Sequence, residues 1–262
     1  MKQKAYTIYG NIAVVNFPLD FKIKDKKNFA KEILKLNKGV RTVLEKSEKF
    51  KGRLRKQKTS WILGDKTKEV LYRENGCEFR FNIDETYFSP RLSNERKEIS
   101  SLMKKGEKVF VCFAGVSPFS IVIAKNSKVE KVYSNEINRK ANEYGEINIK
   151  RNKVQEKVEL VPGDIKRVAL KLVKEKKVFD VIVMARPQLK NTFLENIFPL
   201  TKKKTRVYYY DFCKEDEIDS KIQMVKEIAF KVKKKIKILN VKKAGEIGPF
   251  KFRIRIDFIV ED

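Results

Sequence analysis

Three residues in the middle of the chain have the types and spacing to hold a nucleoside. Gly115 follows the apolar segment Val109–Cys112 and lets the backbone come close to a ligand. Glu136 lies about 20 residues further on, the spacing at which an acid accepts hydrogen bonds from ribose hydroxyls. Asp164, in the sequence VPGDI, could meet an adenine amine. Either acid could instead serve its own helix, as an N-terminal charge or an N-cap.

The turn that contains Gly115 favours one class of cofactor. Val109–Ala124 reads as strand, small-residue turn and helix, and Pro118 suits a first helical turn because its missing N–H costs nothing there. The full GxGxxG fingerprint is absent, since Ser117 occupies the position of a second glycine. This favours S-adenosylmethionine over NAD. The predicted cofactor-binding residues are Phe113, Ala114, Gly115, Val116, Glu136, Ile137, Asp164 and Ile165.

Charge and composition restrict the possible partners and chemistries. The 262 residues carry a formal net charge of +27, which points to a polyanionic partner such as nucleic acid or an anionic membrane surface. A lysine-rich composition with solvated helix faces would give the same excess. The chain has no histidine, so a Ser-His-Asp triad, a histidine base and a histidine metal ligand are excluded.

The three cysteines and the N-terminal sequence indicate an intracellular protein. Cys77, Cys112 and Cys213 show no CxxC spacing, which argues against a zinc site or a disulfide framework and suits a reducing cytosol. The N-terminal sequence MKQKAYTIYG lacks the apolar core of a signal peptide. We therefore expect a cytoplasmic protein.

The elements that position these residues fall into two groups. Residues 1–86 read as a small basic α+β domain, with two short strands around Gly10 and one helix between Lys27 and Asn37. Residues 87–262 alternate helix and strand from Ser93 onwards and end in a β-hairpin. Alternation of this kind predicts a mostly parallel sheet with helices on both faces. The predicted fold is thus α/β, a Rossmann-like domain with a closing hairpin that follows a small α+β domain.

Two stretches of this sequence resemble one family. Val109–Ala124 and the stretch YFSPRLSNER over Tyr87–Arg96 are similar to motifs of the archaeal and eukaryotic tRNA guanine-37 N1-methyltransferases. The resemblance covers nearly the whole chain, and FSPRLSNER is its most specific part. It implies S-adenosylmethionine as cofactor and methyl transfer to N1 of the guanine beside the tRNA anticodon. The related wyosine aminocarboxypropyl transferases share the fold but look different at the Arg91 position.

The resemblance also implies roles for individual residues. Glu95 matches the family's general base, which takes the N1 proton, and Arg55 matches the arginine that stabilises charge on guanine O6. Arg91 is expected to support Glu95 from the preceding turn. Alternatively, Glu95 is only an acid on a helix face that pairs with Arg91 at i, i+4 spacing. The predicted catalytic residues are Glu95, Arg55 and Pro187, and the predicted substrate-binding residues are Tyr87, Arg91 and Arg53.

Departures from the family pattern leave two alternatives open. The signature Asn-Leu-Pro or Asn-Pro-Pro after the fourth strand is replaced by Ala185-Arg186-Pro187, a usual acid by Val111 and a usual glycine by Ser117. A rearranged pocket could admit the larger base 4-demethylwyosine, which some archaeal members methylate at C7. A loss of cofactor binding would instead leave a non-catalytic RNA-binding relative.

The resemblance implies the remaining partners. The chain begins where the family's second domain begins, so we expect the extra N-terminal domain of many archaeal members to be missing. The basic stretch Lys46–Lys58 would then carry more of the grip on the tRNA anticodon stem-loop. Basic clusters at Lys166–Lys177 and Lys231–Lys237 would add phosphate contacts or simply be solvated. We expect a monomer that needs no metal and binds no membrane.

Overall fold

A computed structural model describes residues 6–18, 20–47, 52 and 54–262 of the chain. The first part of the chain forms a four-stranded sheet in the order β1-β2-β3-β4, with helix α1 packed on it. Its apolar core lies between sheet and helix and includes Val15, Ala30, Ile33 and Val43. The elements are β1 (Tyr6–Tyr9), β2 (Ile12–Val15), α1 (Ile23–Leu36), β3 (Thr42–Lys46) and β4 (Thr59–Gly64).

A separate hairpin connects this sheet to the rest of the molecule. It consists of β5 (Glu69–Glu74) and β6 (Cys77–Asn82), and Asn75-Gly76 takes left-handed backbone conformations in the tight turn between them. Its residues Phe79 and Phe81 share an apolar core with Val109 and Val111, which belong to the large sheet. The hairpin thus packs on the part of the chain that follows residue 86. The domain boundary itself stays a prediction.

The second part of the chain forms a seven-stranded sheet in the order β12-β13-β11-β10-β7-β8-β9. The five strands β11, β10, β7, β8 and β9 are parallel, and β13 lies antiparallel between β11 and β12. The strands are β7 (Lys108–Cys112), β8 (Lys131–Glu136), β9 (Val158–Pro162), β10 (Phe179–Met184), β11 (Thr201–Lys214), β12 (Ile236–Gly248) and β13 (Lys251–Val260). The predicted parallel sheet with a closing hairpin is confirmed.

Helices cover this sheet as the alternating pattern predicts. They are α2 (Ser93–Ser101), α3 (Pro118–Asn126), α4 (Arg139–Arg151), α5 (Ile165–Lys174), α6 (Leu194–Ile197) and α7 (Ile218–Lys231). Apolar residues on the helices and strands form the cores on the two faces, with Ile121 and Val122 of α3 in one and Val168 and Leu172 of α5 in the other. Within the described residues, no helix combines the length and the apolar character needed to cross a bilayer.

Candidate active site

The turn after β7 brings backbone close to the place where a ligand would lie. Phe113, Gly115 and Ser117 all have positive φ, at 60°, 58° and 67°, so the chain reverses within five residues. A Cβ on Gly115 would come within 3.1 Å of the Tyr87 carbonyl oxygen, in a backbone conformation that L-residues rarely adopt. Glycine at this position is therefore required by the packing of the turn against the segment that carries Tyr87.

Glu136 at the end of β8 holds this turn in place. Its Oε2 accepts from the Gly115 N–H at 2.8 Å, and its Oε1 accepts from the Asn138 N–H at 2.7 Å. Burial raises the pKa of the Glu136 carboxyl, while the backbone N–H groups of Asn138, Gly115 and Ile137 act in the opposite direction. A carboxylate has about four lone-pair sites, so acceptor capacity is left for ligand hydroxyls.

Two adjoining cavities open at the carboxyl ends of the parallel strands, the place where ligands bind in such sheets. The larger one, which we call the cleft, is lined by Leu54, Arg55, Tyr87, Leu92, Phe113, Gly115, Glu136, Ile137, Asn138, Ala141, Ala185, Arg186, Pro187, Phe212 and Arg253. The smaller one, the side cavity, is lined by Phe113, Asn135, Ile137, Gly163, Ile165, Pro187, Leu189 and Phe193. The mostly apolar lining of the side cavity and the neighbouring Glu136 acceptor have the chemistry that suits an adenine ring and a ribose.

The predicted cofactor residues occupy three kinds of position. Phe113, Gly115, Glu136 and Ile137 line the cleft, and Ile165 lines the side cavity. Ala114 and Val116 are buried beneath the turn. Asp164 caps α5, its Oδ1 accepting from the Lys166 N–H at 2.9 Å, and it lines neither cavity. Its cap role is the alternative that the sequence left open.

Tyr87 lies between two arginines on the outer side of the cleft. The Arg55 guanidinium lies 4.6 Å from the centre of the Tyr87 ring, and Arg253 donates a hydrogen bond to the Tyr87 hydroxyl. Burial alone would raise the pKa of the Tyr87 phenol, but Arg253 and Arg55 outweigh it and lower that pKa. The site therefore favours negative charge at this end of the cleft.

Ala185-Arg186-Pro187, which replaces the family signature, lies in a loop that is held together by the Arg186 side chain. Arg186 is 4% exposed, ion-paired with the buried Asp211, and donates to the carbonyl oxygens of Pro187, Leu189 and Asn191. The guanidinium is thus committed to shaping the loop that carries Pro187 into both cavities. Sequence reasoning missed Asp211, because it lies 25 residues further along the chain on β11.

Glu95 is buried one helical turn away from the cleft wall. Leu92 lines the cleft, and Glu95 follows it on α2 with 5% of its surface exposed. Its carboxylate accepts from the Tyr210 hydroxyl at 2.8 Å and from Arg255 Nη1 at 2.7 Å, and Lys242 Nζ lies 2.9 Å away. Glu95 is therefore a salt-bridged carboxylate beside the cleft and not among the residues that line it.

The predicted pairing of Arg91 with Glu95 is wrong. Arg91 is exposed and directs Nη1 toward the carbonyl oxygen of Glu246 on the hairpin, at 3.5 Å. The cations that reach Glu95 come instead from β12 and β13, which fold back over α2. Arg53, predicted to bind substrate, lies outside the described residues.

Another residue of the YFSPRLSNER stretch has a structural role that the sequence did not reveal. Arg96 is 1% exposed, forms a bidentate ion pair with the buried Glu74 of β5, and donates to the Ser89 carbonyl oxygen. Its guanidinium also lies 5.0 Å from the centre of the Phe88 ring. Arg96 therefore fixes the segment that carries Tyr87 to the hairpin of β5 and β6.

Strand order, hairpin and cavities together define a Rossmann-like methyltransferase. The comparisons with known proteins agree with this class. Residues 70–239 match the family model described as the TRM5/TYW2 methyltransferase domain. The chain belongs to this family, and the predicted family and fold are confirmed.

Three relatives illustrate the likeness. The tRNA (guanine(37)-N(1))-methyltransferase Trm5b of Pyrococcus abyssi is 34% identical over 98% of this chain and 74% of its own length, and its crystal structure superposes with a TM-score of 0.86. The tRNA (guanine(37)-N(1))/4-demethylwyosine(37)-methyltransferase Taw22 of Nanoarchaeum equitans is 33% identical over 97% of this chain and 98% of its own length. The structure of aTrm5 in complex with tRNALeu, 25% identical, covers 98% of this chain and 72% of that one with a TM-score of 0.83.

Proposed function

We propose that this protein methylates N1 of the guanine at position 37 of tRNA, with S-adenosylmethionine as methyl donor. The observation that carries the proposal is the junction of the cofactor turn with the arginine-flanked cleft. Gly115 and Glu136, joined by a hydrogen bond, line the same cleft as Arg55, Tyr87 and Arg253. The family match and the named activities of the relatives support the same reaction.

The residues present fit the proposed cofactor. Glu136 would accept the ribose hydroxyls, Gly115 would let the chain pass close to the methionine part, and the apolar side cavity would take the adenine. When bound, the cofactor supplies an electrophilic methyl group. This intact set of contacts favours an enzyme over the non-catalytic alternative.

The chemistry on the base requires removal of a proton. N1–H of guanine is a weak acid. A positioned base that takes this proton therefore helps N1 to attack the methyl group. Glu95 is our candidate, because a guanine that enters past Leu92 would meet its carboxylate one turn further on. Arg55 would stabilise the charge that develops on guanine O6. The target base would leave its stack to reach the cleft.

The nucleic-acid partner follows from charge and from the named relatives. With 61 basic against 34 acidic residues, the chain would bind the phosphates of the tRNA anticodon stem-loop without regard to sequence. The reaction as proposed uses no metal, and we propose a monomer as the active form.

Two matched substitutions on α2 test Glu95. Glu98 shares Lys242 and Arg255 with Glu95 and lies on the same helix, yet it lies beyond the cleft. Glu95→Gln should lower single-turnover methylation of a tRNA transcript by about 100-fold or more, the usual contribution of a general base. Glu98→Gln should stay within about threefold of wild type, because it disturbs the ion pairs without removing the base.

Mass spectrometry of the position-37 nucleoside and cofactor binding by calorimetry give the two readouts. Equal losses in the two variants would assign Glu95 a structural role only. Absence of 1-methylguanosine with the wild-type protein would refute the proposed function itself.

A second activity, C7 methylation of 4-demethylwyosine, is favoured by one observation. Ala185 presents only a methyl group where the related family signature has an asparagine, so the cleft wall is smaller and less polar there. The likeness to Taw22 over 98% of that protein points in the same direction. Incubation with tRNA containing 4-demethylwyosine tests it, and a lack of any C7 product would eliminate this activity.

A further inference from the structure

We propose that Arg253 positions the target guanine by donating hydrogen bonds to its N7 and O6 edge. The inference rests on the proposed function and adds a specificity residue to it. A planar guanidinium is the group that pairs in a bidentate manner with these two acceptors of guanine.

Arg253 lies where the outer surface meets the cleft. It lines the cleft and also a groove between the β12–β13 hairpin and the first sheet, whose other walls include Tyr9, Arg91 and Glu246. A base that is brought in from outside along this groove would pass the guanidinium before it reaches the cofactor side. The side chain is 9% exposed, so its orientation is set by packing.

The contacts of Arg253 fix its plane and leave donors available. Its guanidinium lies 5.1 Å from the centre of the Phe212 ring, the residue opposite it on β11, and donates to the Tyr87 hydroxyl. Arginine has five N–H donors in a rigid fork, so a ring contact and one hydrogen bond do not exhaust them. Arg255, two residues further on, is by contrast paired with Glu95, Glu98 and Asp257.

The other groups on this wall do not supply the same contact. Ala185 has no hydrogen-bonding side chain, and both terminal nitrogens of Arg186 are committed to Asp211 and to loop carbonyls, which leaves only the buried Nε without a partner among the described residues. Arg55 lies over the face of Tyr87 and is our candidate for O6 on its N1 side. Because O6 lies between N1 and N7 in guanine, Arg253 on the N7 side complements Arg55 and does not compete with it.

The test combines one substitution with one atom change in the RNA. Single-turnover rates are measured for wild type and Arg253→Lys on two ligated tRNAs that differ only in guanine or 7-deazaguanine at position 37. Wild type should lose about tenfold or more on the 7-deaza tRNA, the discrimination of one bidentate contact. Arg253→Lys should lose about as much on normal tRNA and lose nothing further on the 7-deaza tRNA, since lysine keeps the charge but not the fork.

Arg206→Lys is the matched control. Arg206 is a partly buried arginine that pairs with Glu107 near the start of β11, away from the carboxyl ends of the strands where the cleft lies. This variant should keep the wild-type sensitivity to 7-deazaguanine. Equal wild-type rates on the two tRNAs, or an undiminished 7-deaza effect in Arg253→Lys, would overturn the inference and leave the proposed function intact. Failure of wild type to methylate normal tRNA would overturn both.

Discussion

Two buried ion pairs near the cleft each fix one segment of backbone. Arg96 with Glu74 holds the segment that carries Tyr87, and Arg186 with Asp211 holds the loop of Pro187. Burying an ion is costly unless it is paired and hydrogen-bonded, so loss of either partner would leave an uncompensated charge. Glu136 differs, because every donor that the described residues offer its carboxylate is a backbone N–H. It is the carboxylate with spare acceptor capacity for a ligand.

This difference predicts a pH dependence of cofactor binding. The raised pKa of Glu136 means that it takes up a proton at higher pH than an ordinary glutamate, and a protonated carboxyl is a poorer acceptor for ribose hydroxyls. Affinity for S-adenosylmethionine should therefore fall as pH is lowered, and the fall should begin at a higher pH than the protonation of an ordinary glutamate would cause. Glu136→Gln should bind more weakly across the pH range measured and without the slope. A parallel slope in the variant, measured by calorimetry, would exclude Glu136 as its source.

Local motifs in the sequence predict residues of the cofactor site. The partners of Glu95 lie too far along the chain for any local motif to predict them. Gly115 and Glu136 follow consecutive strands and are therefore visible from spacing alone. The cations on Glu95 come from residues 242 and 255, about 150 residues away, and no helical spacing rule reaches them. Arg253 and Tyr87 are even further apart along the chain, so no local spacing rule connects them either.

At the scale of elements, helix α4 completes the hydrogen bonding of strand β6. Asn148 Oδ1 accepts from the Arg80 N–H at 2.7 Å and its Nδ2 donates to the Arg80 carbonyl oxygen at 3.1 Å. Asn152, one turn later, makes the equivalent pair with Glu78 at 2.9 and 2.7 Å. Two amide side chains thus replace a neighbouring strand along this edge of β6.

Removal of one such amide should be costly. Asn148→Ala leaves the partly buried N–H and carbonyl of Arg80 without their partner, and should lower the free energy of unfolding by about 1–3 kcal/mol. Asn126→Ala, the control, removes a single exposed bond to the Asn75 carbonyl and should cost less than about 0.5 kcal/mol. Urea unfolding monitored by circular dichroism measures both. Indistinguishable midpoints would show that β6 does not depend on this pairing.

Element lengths were less predictable than element types. Local sequence pattern alone indicates strands over Arg206–Tyr210 and Ile236–Val241, whereas β11 spans Thr201–Lys214 and β12 spans Ile236–Gly248. Pairing with β13 holds the added residues 211–214 of β11 in the sheet, together with Lys242, Lys243, Glu246 and Gly248 of β12. Conversely, the local pattern favours a helix that continues from Ser93 to Lys104, whereas α2 ends at Ser101. Tertiary pairing overrides the local pattern in these cases.

On the scale of the whole molecule, the net charge of +27 should govern RNA affinity. Each phosphate neutralised by lysine or arginine releases counterions, so affinity for tRNA should fall by about tenfold or more between about 50 and about 200 mM salt. S-adenosylmethionine binding, which depends on Glu136 and apolar contacts, should change by less than about twofold and serves as the internal control. Filter binding and calorimetry in the same buffers measure the two affinities. A tRNA affinity unaffected by salt would contradict an electrostatic grip.

The position of β13 between β11 and β12 has a consequence for the order of events during biosynthesis. The strands β7 to β10, which carry the cofactor turn, leave the ribosome well before residues 251–260. Arg253 and Arg255 lie on β13, the last strand of the sheet in chain order. A nascent or truncated chain would possess the nucleoside cradle but neither the guanidinium beside Tyr87 nor the cation beside Glu95. The growing chain would thus be able to bind the methyl donor before it could select a base. Base selection would begin only once β13 has inserted between β11 and β12.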